Sequence, residues 1–307
     1  MSDLKLFSIR SGDAKELASS THRLEKTLHE VFEKNLHTLL GVHFLAHEYS
    51  TGPAHGGRID TLGLDENNSP VIIEYKRSVS ENVINQGLFY LDWLLDHKAA
   101  FKLLVLEARG QEEADRIDWS APRLICVASE FKKYDEHAIR QINRNIDLIR
   151  YKLFGDDFMA LELSGSVSST STHSKSASGS GQASSISDRA SDKPMVEALE
   201  EISDELKLVY KGLCDFTLSL GDDVNQKQLK LYSAFRRIKN FATVTPQKKN
   251  FRLYLHLDPR TVELSEGWTR DVSEIGHWGT GDLEVWIACE EDLERAKPLI
   301  KRAYEER

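Results

Sequence analysis

Cysteine is scarce in this chain: 307 residues hold three, Cys126, Cys214 and Cys289, with no Cys-x-x-Cys spacing. An odd, dispersed set argues against a disulfide framework or a thiolate zinc site, and Cys126, inside an apolar segment, reads as a core thiol. No apolar run approaches the length of a membrane span. The opening Met1-Ser2-Asp3-Leu4-Lys5-Leu6 lacks the basic region and long apolar stretch of a signal peptide, so the expectation is a cytoplasmic protein with no membrane partner. A P-loop, a dinucleotide-binding glycine run and a Ser/His/Asp arrangement are also missing. His43, His47 and His55 match no zinc-finger spacing. Positive charge is in deficit, with 40 Lys and Arg against 49 Asp and Glu, a net charge of −9. Indiscriminate binding to nucleic acid is therefore disfavoured, and the distribution of cations matters more than their sum, because local cations are what displace counterions.

What is present is a pair of short apolar segments carrying charge. Gly57-Arg58-Ile59-Asp60-Thr61-Leu62-Gly63-Leu64 and Val71-Ile72-Ile73-Glu74-Tyr75-Lys76 flank the turn-forming cluster Asp65-Glu66-Asn67-Asn68-Ser69-Pro70, which predicts a β-hairpin. Side chains alternate along a strand, so Glu74 and Lys76 share one face while Ile73 and Tyr75 take the other. Two acids, Asp60 and Glu74, and one amine, Lys76, are expected to converge. Carboxylates at a strand end suit Mg²⁺, which keeps several waters and takes one or two protein carboxylates beside phosphate oxygens. An ion held there lowers the pKa of its water and neutralises charge developing on a phosphoryl group, and Lys76 would steady the nucleophile or the phosphate. The plainer reading is a surface ion pair between Glu74 and Lys76, worth little. The apolar run Val71-Ile72-Ile73 argues against it.

Helical spacing brackets the hairpin. Leu24, Leu28, Val31, Phe32 and Leu36 form one apolar stripe. Ile84, Leu88, Leu91 and Leu95 form another, with Gln86 and Tyr90 four apart on a common face. Further on, 123–128 reads as a strand, 137–148 as a helix, and 149–154 and 159–163 as strands that close a sheet.

This chain resembles the PD-(D/E)XK nuclease superfamily, and its first half is similar to the NucS-like branch of mismatch and branched-DNA endonucleases. The resemblance is carried by Gly57-Arg58-Ile59-Asp60, by Glu74-Tyr75-Lys76 and by Gln86-Gly87-Leu88-Phe89-Tyr90-Leu91, with Ile59 standing where the superfamily name has proline. It implies an α/β, restriction-endonuclease-like mixed sheet flanked by helices over residues 1–163. The implied activity is that of a Mg²⁺-dependent endodeoxyribonuclease, with Mn²⁺ as the substitute ion. It implies further that Asp60, Glu74 and the Tyr75 carbonyl hold the metal and that Lys76 assists hydrolysis. Glu25, or Glu30 in the other helix alignment, would complete the site, and Gln86, with Tyr90 on the same helix, would support it. Arg58 and Tyr90 are the implied contacts to DNA, whether single-stranded, branched or mismatched, and relatives of this fold commonly pair as homodimers. The alternative is a catalytically silent nucleic-acid-binding or protein-interaction protein on the same fold, since fold does not fix function.

From Ser164 to Ser191 the chain is mostly Ser, Gly, Thr and Ala, a composition that buries too little surface to offset its ordering entropy. Residues 164–193 are therefore expected to form a flexible linker to a small α+β domain at 194–307. That domain is expected to hold a helix over 195–220, strands at 241–244, 252–257 and 283–287, and a closing helix over 290–304. Its segments Leu253-Tyr254-Leu255-His256-Leu257-Asp258-Pro259 and Ile275-Gly276-His277-Trp278-Gly279-Thr280-Gly281-Asp282-Leu283 resemble an uncharacterised bacterial domain found behind nuclease-like domains in so-called predicted transport proteins. Between Val224 and Leu257 there is no acidic residue. Cations interleaved with aromatics suit nucleic acid, and Lys227, Lys230, Arg236, Arg237, Lys248 and Lys249 are the candidate contacts, the aromatics reading as core. The domain is expected to recruit substrate or a protein partner.

Overall fold

Fully apolar and alternating segments between turn formers build a mixed sheet in the first half of the chain. The computed structural model describes residues 4–20, 25–76, 82–155, 157–168 and 194–307, the side chains of residues 20 and 25–27 lying outside the described residues. The chain divides into two compact units, Met1–Ser168 and Ser169–Arg307.

In the first unit, β1 (Leu6–Arg10) and β2 (Asp13–Leu17) pair as an antiparallel hairpin. The main sheet has the order β3 (Ser19–Ser20), β8 (Asn145–Phe154), β7 (Arg123–Ala128), β6 (Pro70–Lys76), β5 (Arg58–Asp65), β4 (Val42–Ser50), and β9 (Phe158–Val167) pairs with β8. β4, β5 and β6 form an antiparallel meander, while β6, β7 and β8 run parallel. The predicted β5–β6 turn forms because Asp65 Oδ1 accepts the N–H groups of Asn67 and Ser69, both at 2.9 Å, and Asn68 takes φ 58°. Asparagine tolerates that left-handed conformation better than most residues.

Helices flank this sheet: α1 (Glu25–Lys34), α2 (Leu36–Leu40), α3 (Gly52–His55), α4 (Val83–Asp96), α5 (Lys98–Arg109), α6 (Gln111–Asp115) and α7 (Lys133–Ile139). α1 sets the rings of His29 and Phe32 against Tyr75, at 4.2 and 5.5 Å between centroids. α4 lies on the opposite face, where Gly87 lets it close on β7: a Cβ at Gly87 would stand 2.4 Å from Leu124 Cδ1. The core between α4 and the sheet includes Leu62, Ile72, Leu91, Leu94, Leu124 and Leu148.

Residues 137–148 are not the helix that their apolar spacing predicts. α7 ends at Ile139, and β8 starts at Asn145 with Ile146, Asp147, Leu148 and Ile149 all at 0% exposure. A parallel strand covered on both faces loses alternation and imitates a buried helix. β9 carries the sheet to Val167, into the Ser-rich stretch, and residues 169–193 of the expected linker lie outside the described residues.

The second unit contains α8 (Met195–Glu201), α9 (Asp204–Leu218), β10 (Asn225–Gln228), β11 (Ser233–Arg236), β12 (Asn240–Pro246), β13 (Phe251–Leu255), β14 (Thr269–Asp271), β15 (Leu283–Ile287) and α10 (Glu290–Glu306). Its antiparallel sheet has the order β10-β11-β12-β13-β15-β14. Leu213, Leu253, Leu255, Val285 and Ile300 are among the residues of its core. The single helix expected over 195–220 is broken at Ile202 and Ser203, both extended, and the Ser203 hydroxyl accepts the Leu206 N–H at 3.3 Å. Ser followed by Asp204 and Glu205 is a helix start signal, and it overrides the continuous apolar stripe. Among the described residues no helix is long and apolar enough to cross a membrane.

Candidate active site where the hairpin strands part

The β5–β6 ladder runs from the Leu64–Pro70 pair to the Thr61–Ile73 pair and stops there. Beyond it, side chains take over the main-chain hydrogen bonds. The Asp60 N–H donates to Glu74 Oε1 at 3.2 Å, and the Tyr75 N–H donates to Asp60 Oδ2 at 3.0 Å. Each strand's backbone thus holds the other's carboxylate, and the two acids are fixed side by side. Because the N–H and C=O of one strand residue address the same neighbour, the Tyr75 carbonyl also faces β5. Lys76 follows Glu74 by two residues onto the same face and is buried. From α4, Gln86 Nε2 donates to Glu74 Oε2 at 3.0 Å. Asp60, Glu74, Lys76 and Gln86 therefore lie on the α4 side of the sheet.

Burial and the adjacent Asp60 carboxylate push the Glu74 carboxyl up to about 9, against the weaker pull of the Asp60 N–H. A carboxyl so raised holds a proton at neutral pH, and a cation placed between the two acids reverses that preference. The oxygens of Asp60, Glu74 and the Tyr75 carbonyl are hard donors, so this set fits Mg²⁺ or Mn²⁺ in chemistry. Among the described residues no group of three or more His, Cys, Asp or Glu side chains is arranged to hold a metal ion.

Asp60 and Gln86 open on a cleft of about 680 Å³ that Glu48, Ser50, Arg58 and Tyr90 also line. Glu74 and Lys76, 1% and 5% exposed, are not part of its lining. The wall of the cleft is a loop tied at its base, where the Thr51 hydroxyl accepts the Gly57 N–H at 2.9 Å and donates to the Gly57 carbonyl at 3.0 Å. A Cβ at Gly57 would lie 2.4 Å from Tyr90 Cε1, so any side chain there has to displace the Tyr90 ring. Sequence reasoning does not single out Thr51; the signal that points to it is the Thr-Gly-Pro turn entry facing a Gly-Gly exit.

The other candidates fall unevenly. Glu25 opens α1, and its side chain lies outside the described residues. Glu30 is exposed on α1, which packs on the Tyr75 face of the sheet, away from Glu74, so it is not brought to the pair. Arg58 is exposed at the cleft and pairs with Glu48 at 3.1 Å. Tyr90, expected to touch DNA, lines the cleft with 6% of its surface exposed, and its hydroxyl accepts the Arg58 N–H at 3.1 Å. It braces the loop. In the second unit Lys227 and Arg236, 4% and 1% exposed, are corrected from contacts to interior residues, since neighbouring side chains cover both in the folded unit whatever their charge. Arg237 is tied to Asp223 at 2.6 Å and lies over the Tyr304 ring. Lys230, Lys248 and Lys249 are exposed.

Residues 195–307 match a family described as a domain of unknown function (DUF5655). The chain is 29% identical over 308 residues to an uncharacterized protein of Haemophilus influenzae, covering 99% of this chain and 100% of that one. Among solved structures it is similar to a repair endonuclease from Pyrococcus abyssi, with 18% identity, a TM-score of 0.28, and coverage of 43% of this chain and 49% of the other. It is also similar to EndoMS in a complex with double-stranded DNA, with 20% identity, a TM-score of 0.25, and coverage of 46% and 49%. The match thus spans about half the length of each solved chain. Similarity of this extent supplies no argument about activity.

Proposed function

We propose that the first unit is a metal-dependent endonuclease hydrolysing phosphodiester bonds in DNA, and that the second unit recruits its substrate or a partner. The observation that supports this reading is the mutual locking of Asp60 and Glu74 at the point where β5 and β6 part beside a cleft. Asp60, Glu74 and the Tyr75 carbonyl would hold Mg²⁺, or Mn²⁺ in its place. When bound, such an ion supplies charge neutralisation at a phosphoryl group and a lowered pKa for water. Gln86 holds the Glu74 carboxylate in its orientation through the 3.0 Å hydrogen bond. Lys76, an ammonium on the same face, donates to the attacking water or to a phosphate oxygen. Arg58, at the cleft rim, neutralises a phosphate of the bound strand.

A second reading, a DNA-binding unit that does not cut, is favoured by one observation: Glu74 is 1% exposed and stands behind the cleft lining. Labelled single-stranded, duplex and forked DNA incubated with Mg²⁺, Mn²⁺ or EDTA separates the two. The nuclease reading expects cleavage in either ion, abolished by EDTA and by each of Asp60→Asn, Glu74→Gln and Lys76→Met with the fold retained. Retention of DNA without nicking in both ions supports the second reading, and cleavage surviving all three substitutions removes the first.

A further inference from the structure

The unit-two sheet turns its apolar side chains, such as Leu253 and Val285, into the core, and the alternating residues of the same strands stand on its other face. Register sets Arg252 of β13 opposite Trp286 of β15, and Arg270 of β14 opposite Glu284 of β15. Residues directly opposed or two apart share a face, so these four stand together. Glu284 is 0% exposed. One of its oxygens takes Arg270 Nε at 2.9 Å and Nη2 at 2.8 Å, and the other faces Arg252 Nη1 at 3.5 Å. The side chains of Arg252 and Arg270 are nevertheless 38% and 47% exposed. The Arg252 guanidinium lies 5.7 Å from the centre of the Trp286 ring. Exposed Lys248 and Lys249 form the β12–β13 turn next to Arg252.

A structural ion pair needs one arginine for one carboxylate. Here a single buried carboxylate holds Arg270 by two hydrogen bonds and faces a second arginine, Arg252, at 3.5 Å, leaving an excess positive charge to which the turn lysines add. Each guanidinium has five N–H donors, and Glu284 occupies a minority of them. Fixing Arg270 from behind by hydrogen bonds, with Arg252 drawn to the same carboxylate by charge alone, lowers the ordering cost of receiving an anion in front. β13 and β14 flank β15 and the two arginines are offset by two residues along it, so their backbones are about 12 Å apart, a span suited to a chain of phosphates. Aromatic rings among such cations serve unstacked bases.

We propose that this face binds the backbone of single-stranded nucleic acid, Arg252, Arg270, Lys248 and Lys249 meeting phosphates and Trp286 a base. The inference deepens the reading that the second unit recruits substrate and is independent of the chemistry at Asp60.

The test is fluorescence anisotropy of labelled oligothymidylate with the full chain in EDTA, across a range of NaCl concentrations. The Lys248→Glu/Lys249→Glu chain, altered only at an exposed turn, should bind about tenfold or more weakly. Its plot of log affinity against log salt should flatten by about 1.4, or about 0.7 for each phosphate no longer neutralised. Trp286→Leu should weaken binding about fivefold or more without changing that slope. The inference is overturned if the parent fails to bind or binds without salt dependence, or if the lysine variant matches the parent. Displacement of the oligomer by low millimolar inorganic phosphate overturns it too, assigning the site to the free anion. Plasmid cleavage by the parent in Mg²⁺ is read separately: its absence removes the nuclease reading and leaves the binding result standing.

Discussion

Glu74→Gln removes an ionisable group from a place where the fold disfavours its charged form, and the consequence for stability has a definite sign. Glu74 has an ordinary value of 4.5, and burial beside Asp60 raises it to about 9. Between those two values the folded state binds a proton that the unfolded state has released. This contribution to stability is therefore complete below pH 4.5 and is lost progressively as pH rises through about 9. Each pH unit costs about 1.4 kcal/mol, so at pH 7 the parent has lost about 3 kcal/mol relative to acid conditions. Glutamine carries no such penalty, and exposed Gln86 has only to turn its amide over to keep the hydrogen bond. For a unit of this size about 3 kcal/mol corresponds to about 6–12 °C in melting temperature. Melting curves of the full chain in EDTA between pH 4.5 and 9 should show Glu74→Gln gaining on the parent as pH rises, in the transition that belongs to the first unit. Parallel curves for the two proteins, or a variant falling below the parent at pH 8, would refute the reasoning. A substitution that stabilises while abolishing cleavage is what a strained functional site produces.

Two further outcomes follow from packing. Gly57→Ala forces Tyr90 away from the Arg58 amide, because the new Cβ would sit 2.4 Å from its ring; the expected cost is about 1–3 kcal/mol in urea unfolding, and an unchanged midpoint counts against the brace. Asp147→Ala removes the carboxylate that stands 2.5 Å from the buried Arg123 guanidinium and should cost about 3–5 kcal/mol, lowering the denaturant midpoint of the first unit while that of the second holds.

The hairpin is legible in the sequence because its information is local. Asn68 and its neighbours mark the turn, and alternation assigns Glu74 and Lys76 to one face before any packing is known. The apolar stripe of α4 likewise predicts the helix that brings Gln86 to Glu74. β8 is misread because burial on both faces erases the alternation that identifies a strand. Lys227 and Arg236 are misread because charge type reports only a preference for the surface, and a long side chain can run through the interior of a packed sheet. The Arg252–Glu284–Arg270 grouping leaves no trace in sequence spacing, since its members come from three strands whose register is set at a distance.

Sequence by itself determined the two strands and their turn, the helices with clean apolar stripes, and the acids and amine that share a strand face, all of them properties of residues within a few positions of one another. Tertiary structure alone decided that the β5–β6 ladder stops at Thr61, turning two N–H groups onto the opposing carboxylates, and that Glu74 is buried deeply enough to hold a proton. The physical reason is that strand divergence, desolvation and charge–charge proximity are set by what packs around a residue, and none of these is encoded in its nearest neighbours along the chain.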